Sequence, residues 1–316
     1  MTEPDPSKPV ESLAEPKVKK AWHNRWWAII LFIIVGLIFL DGLSEVVLDS
    51  SVEEDSSITD NSVLGLPPII ETIPLDSPVE TIISDQGDFK VVYSHVTTTD
   101  NLKYEQVFKD SGLFEEAVNG LNDAIILPYD VQVVLGECGG TINAFYEPTH
   151  RLIVMCYELI DGISLDLAEV AETEEELALG IGHTLLFIFY HELGHALADI
   201  HDLPLTGREE DAVDQLSAMI LIGAGGEGEE AVLRGAAWFL LRAENTDLDE
   251  SAFADEHALD AQRFYNLACW VYGNNPKTHS YLVEDGYLPE ERAIRCENEF
   301  TKISNSWDQI LAPYLK

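Results

Sequence analysis

The sequence predicts an α+β fold, in which a small N-terminal sheet and then a mostly helical half form the folded domain, behind one N-terminal transmembrane helix. Three patterns carry this prediction. Residues 26–40 form an apolar run without a charge, short strand-like runs lie between residues 89 and 157, and apolar residues recur at helical spacing from residue 174 onward. Strands first and helices later along a chain are typical of the α+β class.

Composition limits the functions that the chain can have. Its 316 residues include 18 Lys and Arg but 57 Asp and Glu, a formal net charge of −39. A chain this acidic lacks the basic face that binds phosphates, so we expect no nucleic-acid partner. Apolar residues make up 46% of the chain, which is enough for a sizeable core and argues against a disordered chain.

The apolar run near the N-terminus predicts a membrane anchor. It reads WWAIILFIIVGLIFL, bases precede it, and residues 41–86 contain acids and no base. The positive-inside rule therefore assigns residues 1–25 to a cytoplasmic leader, residues 26–43 to a single transmembrane helix, and the remainder to the extracytoplasmic side of the cell membrane. The alternative is a signal peptide cleaved near Gly42-Leu43-Ser44, which would give a secreted protein.

A tether and one folded domain are predicted to follow the anchor. Residues 44–86 are rich in acids, Ser and Thr, and four prolines interrupt any regular element, so we expect an acidic flexible tether. An alternative is that a part of this segment, such as residues 63–70, packs onto the domain. Residues 87–316 are expected to form the folded domain.

Within the domain, hydrophobic spacing predicts the order of the elements. Strands are expected at residues 89–96 and 130–135, with a helix at 104–126 between them. Residues 143–146 and 151–157 are expected to pair as a hairpin. Further helices are predicted at residues 174–200, 209–222, 229–243, 257–272 and 289–311.

Four cysteines lie in the domain, and none of them forms a CxxC pair that would indicate a structural zinc ribbon. Cys138 and Cys156 flank the predicted hairpin, whereas Cys269 and Cys296 lie in the last two predicted helices. Disulfides persist outside the cytoplasm, so we predict the pairs Cys138–Cys156 and Cys269–Cys296. Four buried thiols are the alternative.

The longest predicted helix contains the motif HExxH, in which His191 and His195 flank Glu192. Residues i and i+4 share a helical face, so both imidazoles can reach one metal ion, and Glu192 can take a proton from an activated water. The residues before the motif are apolar, which predicts a buried helix, where such a cluster would be costly without a metal. Two core histidines satisfied by hydrogen bonds are the alternative.

A catalytic zinc site has three protein ligands and one open position. Glu210 is the preferred third ligand, because a turn containing Pro and Gly lets a second helix begin beside the motif, with Glu210 and Asp214 four residues apart. Asp214 would then accept a hydrogen bond from a ligand histidine and fix its tautomer. The alternatives are His201, at metzincin spacing without the glycine of that pattern, and the acids Glu209 and Asp211.

HExxH followed by ExxxD on an adjacent helix is the gluzincin arrangement. Three segments extend the similarity: NAFYEPTHRLIVMCYEL, HELGHALADIHDLPLTGREEDAVDQ and DEHALDAQRFYNLACWVYG. With them, residues 88–310 resemble a bacterial family of unknown function that is classed as metallopeptidases. The resemblance implies a zincin-type hydrolase exported from the cytoplasm, and it carries the metal-site pattern over to His191, Glu192, His195 and Glu210. It implies no particular substrate.

A hydrolase of this type also needs a hydrogen-bond donor for the oxyanion of the tetrahedral intermediate. His257 is the preferred candidate, with Asp255 or Asp260 to orient it, and a helix-cap histidine is its structural alternative. Arg263 and Tyr265 are the other candidate donors. The segment 139–146 is expected to contain an edge strand that pairs with an extended peptide.

These patterns predict a membrane-anchored zinc metallopeptidase that acts on a peptide or protein substrate. Zn²⁺ would polarise the scissile carbonyl, and Glu192 would act as the general base. Two other functions stay open: a zinc amidase that acts on a non-protein amide, for example in the cell wall, and a non-catalytic zinc-binding interaction module. The intact Glu192 argues against the module, because binding alone needs no base.

Overall fold

A computed structural model describes residues 84–245, 248 and 250–316 of the chain. The predicted leader (1–25), the predicted transmembrane helix (26–43) and the predicted tether as far as residue 83 lie outside the described residues. The described part is an α+β domain with a small mixed sheet and a mostly helical remainder, which confirms the predicted fold class of the domain.

Four strands form one sheet in the order β1-β2-β4-β3. They are β1 (Phe89–Tyr93), β2 (Val131–Gly136), β3 (Ala144–Glu147) and β4 (Leu152–Cys156). Strands β1, β2 and β4 run parallel, whereas β3 and β4 form the predicted antiparallel hairpin. Strand β3 is therefore an edge strand, and among the described residues only one side of its backbone pairs with another strand.

The connection between β1 and β2 contains two helices, so the single helix predicted over residues 104–126 is wrong. Helices α1 (Thr99–Ser111) and α2 (Leu113–Ala124) are separated by Gly112, whose φ of 66° lies in the left-handed region that glycine adopts at low cost. Apolar spacing continues in phase across this one-residue break, which is why periodicity alone does not reveal it.

The remaining helices follow β4. They are α3 (Tyr157–Ala168), α4 (Glu174–His201), α5 (Glu209–Gly223), α6 (Gly226–Asn245), α7 (Glu250–Ala254), α8 (Asp260–Asn274), α9 (Tyr281–Glu284), α10 (Glu290–Ala293) and α11 (Cys296–Leu311), before a short 3₁₀ helix at Ala312–Tyr314. The sequence prediction omitted α3 and began α8 three residues early. It also joined α10 and α11, which are separate helices.

Helix α4 is the central helix of the domain. The Thr173 hydroxyl caps it by accepting a hydrogen bond from the backbone N–H of Glu176 at 3.1 Å, and Asp202, with a φ of 48°, ends it. The helix is long and apolar enough to span a bilayer, but 89% of its most apolar window is buried inside the domain. It is thus a core helix, and it packs against α3, α5, α6 and β3.

Both predicted disulfides are confirmed. Cys138–Cys156 ties the loop after β2 to the end of β4, and Cys269–Cys296 ties α8 to α11. The Glu158 carboxylate reinforces the first link, because it accepts hydrogen bonds from the backbone N–H groups of Cys138 and Gly140, both at 2.9 Å. The loop that leads into β3 is therefore held at several points.

Candidate metal centre

The two histidines of the HExxH motif lie on the same face of α4. Their ring centroids are 5.0 Å apart, and both side chains are largely shielded from solvent. Leu193, between them in sequence, points into the core and is fully buried. Residues one helical turn apart share a face, so both imidazoles face the same space, whereas Leu193 lies on another face and packs the helix into the core.

The first turn of α5 brings a carboxylate to these two rings. Glu210 Oε2 lies 3.1 Å from His191 Nε2, and Glu210 Oε1 lies 3.3 Å from His195 Nε2. Helix α5 packs closely along α4 after the turn that follows Asp202. The three residues that the sequence analysis names as metal ligands are thus neighbours.

Each histidine binds a second carboxylate with its other ring nitrogen. His191 Nδ1 lies 2.7 Å from Asp214 Oδ1, and His195 Nδ1 lies 2.8 Å from Glu209 Oε1. A proton on each Nδ1 satisfies these hydrogen bonds, so each Nε2, on the side of Glu210, is the nitrogen that a metal ion could bind.

The residues at this centre fit a zinc ion. Glu210 Oε2 is buried and accepts no hydrogen bond of acceptable geometry from the described residues. Burial lowers the pKa of His195, but Glu210 and Glu209 outweigh it and hold that pKa at about 9, so the centre attracts positive charge. Two imidazole nitrogens and one carboxylate are a donor set found at catalytic zinc sites.

Glu192 lies beside the candidate ligands and lines the same cavity. Its side chain is almost fully buried, and burial raises the pKa of its carboxyl above the usual value. The backbone N–H of Tyr146 in β3 faces this carboxyl and lowers its pKa slightly, against the larger effect of burial. The edge strand and the motif helix therefore meet at Glu192.

His257 approaches the same carboxylate from an irregular loop before α8. Its Nε2 lies 3.0 Å from Glu210 Oε2, and its Nδ1 lies 3.0 Å from Asp255 Oδ1. Its ring stacks over His191 with centroids 6.2 Å apart. His257, His191 and Glu210 together offer ligand atoms within 4.8 Å of one another, so this position suits either a hydrogen-bond donor or a further ligand.

The other candidates from the sequence do not face Glu210 in the same way. His201 stacks on Tyr314 with ring centroids 4.1 Å apart and is not in the group that faces Glu210. Arg263 directs two of its N–H groups at Asp214, behind His191. Tyr265 is partly exposed on α8 and is not among the residues that line the cavity.

A cavity of about 590 Å³ opens in front of the centre. Strand β3 forms one wall, and aromatic residues of α6, including Trp238 and Phe239, form another. The side of β3 that does not pair with β4 offers N–H and C=O groups of the kind that bind an extended chain. The cavity is therefore lined by the candidate ligands, by the buried carboxyl group of Glu192 and by residues of the edge strand β3.

Two contacts at this centre are absent from the sequence analysis. It names Glu209 only as an alternative ligand, whereas the structure pairs Glu209 with the outer nitrogen of His195. Tyr146, expected only as part of an edge strand, also donates a hydrogen bond from its hydroxyl to Asp199 Oδ2 on α4 at 2.8 Å. Local spacing contains no signal for either contact, because each joins elements that meet only in the folded domain.

The model of one protein family, DUF4344, matches residues 93–311, which is 219 of the 316 residues of the chain. That family is described as "Putative metallopeptidase". No curated protein and no solved structure matches the chain. The match covers both histidines of the motif, Glu210 and His257, and it agrees with the family that the sequence segments resemble. The chain therefore belongs to this metallopeptidase family.

Proposed function

We propose that the protein is a zinc peptidase in which His191, His195 and Glu210 hold the metal. The convergence of two Nε2 atoms on the Glu210 carboxylate, at 3.1 and 3.3 Å, carries this proposal. The carboxylates behind each histidine support it, because such partners fix the tautomer that offers Nε2 to a metal. The family match supports the reaction class.

When bound, zinc polarises the scissile carbonyl and lowers the pKa of the attacking water. Glu192 takes the proton of that water and passes it to the leaving amine. Its burial favours this role, because a raised pKa makes the carboxylate a stronger base for taking the proton of the water. The backbone N–H of Tyr146 faces the same carboxyl group from the strand edge.

His257 serves as the hydrogen-bond donor to the oxyanion that forms from the carbonyl. To donate from Nε2 while Nδ1 binds Asp255, the ring must carry both protons. Glu210 and Asp255 favour this state, because they hold the pKa of His257 above its usual value against the effect of burial. The free edge of β3 favours a peptide over another amide, since it matches an extended backbone.

The cellular arrangement is part of the same proposal. Residues 26–43 anchor the chain in the cell membrane, residues 44–86 tether it, and residues 87–316 form the catalytic domain on the extracytoplasmic side. Two formed disulfides support an oxidising compartment, since such links are rare in the cytoplasm. A zinc amidase that acts on a non-protein amide and a non-catalytic zinc module remain the alternatives, and the buried Glu192 in the cavity favours catalysis over the module.

Metal content with ligand variants tests the site. We would purify the full-length protein and quantify bound metal by plasma mass spectrometry for the wild type, Glu210→Ala and His201→Ala. We expect about one zinc per chain, lost in Glu210→Ala and kept in His201→Ala. Zinc lost only in His201→Ala would replace Glu210 by His201 as the third ligand, and no metal in any protein after zinc is added would end the zinc hydrolase proposal.

A second experiment separates catalysis from metal binding. Glu192→Gln should keep its zinc while turnover of a mixed peptide library falls by about 10²- to 10⁴-fold, because only the base is lost. Glu244→Gln, at an exposed position on α6, is the matched control and should retain full activity. Retained turnover in Glu192→Gln would remove Glu192 from the mechanism.

A further inference from the structure

Asp214, behind His191, has a second charged partner. Its Oδ1 accepts hydrogen bonds from His191 Nδ1 at 2.7 Å and from Arg263 Nη2 at 2.7 Å, while its Oδ2 accepts one from Arg263 Nε at 2.8 Å. Only 7% of the Asp214 side chain is exposed. A carboxylate buried to this degree is stable in its charged form only when a cation and hydrogen-bond donors surround it, and Arg263 supplies both.

Arg263 is itself held in one position. Its side chain is 11% exposed, and its guanidinium lies 3.7 Å from the ring centroid of Phe239. Phe239 comes from α6, Arg263 from α8 and Asp214 from α5, so three helices meet at this pair. A planar guanidinium that binds both oxygens of a carboxylate prevents the carboxylate from rotating.

We infer that Arg263 is a positioning residue of the metal centre, which acts through Asp214 on His191. This inference rests on the proposed zinc site. Arg263 keeps Asp214 charged and turned so that Oδ1 receives the Nδ1 proton of His191, and the ring then presents the lone pair of Nε2 toward Glu210. The geometry assigns no oxyanion role to Arg263, because its Nε and Nη2 groups point at Asp214.

The other ligand histidine provides a contrast. His195 Nδ1 is paired with Glu209, whose side chain is 54% exposed and pairs with no Lys or Arg among the described residues. One histidine therefore has a rigid, buried support and the other a support that solvent reaches. We therefore expect the orientation of His191 to depend on Arg263, whereas the orientation of His195 should not depend on an arginine or lysine in this way.

The inference is tested by measuring the zinc affinity of the full-length protein in competition with a chelator of known affinity. Arg263→Met should weaken zinc binding by about 10- to 100-fold, the usual effect of losing a residue that supports a ligand. The zinc affinity of Arg263→Lys should lie between those of Arg263→Met and the wild type. An ammonium restores the positive charge but does not reproduce the planar pair of hydrogen bonds to both oxygens of Asp214. Unchanged affinity in Arg263→Met, in a wild type that binds zinc, would overturn the inference and leave the proposed function standing.

Arg292 offers a matched control. It binds both oxygens of Glu299 through Nη1 and Nη2, at 2.8 and 2.7 Å, and has no link to a candidate ligand. Arg292→Met should lower thermal stability and leave zinc affinity unchanged. An equal loss of zinc affinity in Arg292→Met and Arg263→Met would show a general effect of stability and overturn the inference.

A double-mutant cycle decides whether Arg263 acts through Asp214. In an Asp214→Asn background, Arg263→Met should cost no further zinc affinity, because its target is already lost. Additive losses would mean that Arg263 acts through its packing on Phe239, which overturns the inference. If Arg263→Met does not fold, Arg263→Lys replaces it in the cycle. A wild type that binds no zinc would instead overturn the proposed function, so the two failures are distinguishable.

Discussion

Gly194 and Val213 touch where helices α4 and α5 cross. A Cβ on Gly194 would lie 2.7 Å from Val213 Cβ and 2.8 Å from Val213 Cγ1, distances that no real pair of carbon atoms tolerates. Gly194 precedes His195 in the motif, and Val213 follows Glu210 by three residues on α5. The absence of a side chain at position 194 therefore sets how closely Glu210 approaches the two imidazoles.

Gly194→Ala should weaken zinc binding without removing a ligand. The added methyl group must push α5 away from α4, because Val213 is branched next to the backbone and cannot turn aside. Glu210 would then move away from His191 and His195, and we expect zinc affinity to fall by about tenfold or more. Chelator competition on the full-length protein measures this loss.

Gly180→Ala on the same helix is the control. Its new Cβ would meet only the Leu167 Cδ1 atom, at 3.0 Å, which is the end of a flexible side chain. We expect unchanged zinc affinity, with a gain of up to about 1 kcal/mol in the free energy of unfolding from the better helix former. Equal losses of zinc affinity in both variants would contradict the role of the Gly194–Val213 contact.

His257→Ala distinguishes an oxyanion donor from a metal ligand. If His257 is the donor, kcat should fall by about 10²- to 10³-fold while the zinc content stays at the wild-type level. Asp255→Asn should have a smaller effect in the same direction, because the ring remains but loses its orienting partner. Steady-state kinetics and metal analysis on the same preparations measure both quantities, and a loss of zinc in His257→Ala would make His257 a ligand.

His183 should make the domain less stable in acid. The ring is buried in α4, neither nitrogen has a hydrogen-bond partner among the described residues, and burial lowers its pKa from 6.5 to about 4. The unfolded chain therefore binds a proton that the folded domain resists, and stability falls as the pH drops from 6.5 to 4. This group accounts for up to about 3 kcal/mol of that loss.

His183→Leu provides the measurement. The free energy of unfolding of the variant, from denaturant titrations between about pH 3 and pH 7, should decline less in acid than that of the wild type. Relative to the variant, the wild type should lose free energy of unfolding as the pH falls from 6.5 to 4, and this difference should level off below pH 4. A difference that does not vary with pH would mean that His183 finds a partner when it is protonated, with Glu227 Oε2, 3.7 Å away, as the first candidate.

The disulfide Cys269–Cys296 should stabilise the helical half. It closes a segment with a sequence separation of 27 residues, which in the chain-entropy account contributes about 3.5 kcal/mol by restricting the unfolded chain. The double variant Cys269→Ser/Cys296→Ser should therefore unfold at a lower denaturant concentration than the wild type. Alkylation of the denatured, unreduced protein is the direct check, and four reactive thiols would contradict both disulfides.

The strands, the hairpin and both disulfides were predicted well from the sequence. The predictions failed where a single residue or a single capping interaction sets the end or the start of a helix. Strands depend on runs of β-branched residues, and the cysteines flank or lie within elements that pattern alone identifies. The break at Gly112 depends on a single left-handed residue inside a continuous apolar period. The start of α8 depends on Asp255, which binds both the backbone N–H and the ring of His257 and so keeps that loop out of the helix.

By itself the sequence determined the parts of the candidate site that lie within one element. His191, Glu192 and His195 share a face because a helix repeats every 3.6 residues, and Glu210 and Asp214 do so for the same reason. The tertiary structure alone decided which acid supports which histidine, and that Arg263 supports Asp214, 49 residues away in the chain. Such contacts depend on how helices pack, and the steric fit between Gly194 and Val213 that sets this packing has no counterpart in local periodicity.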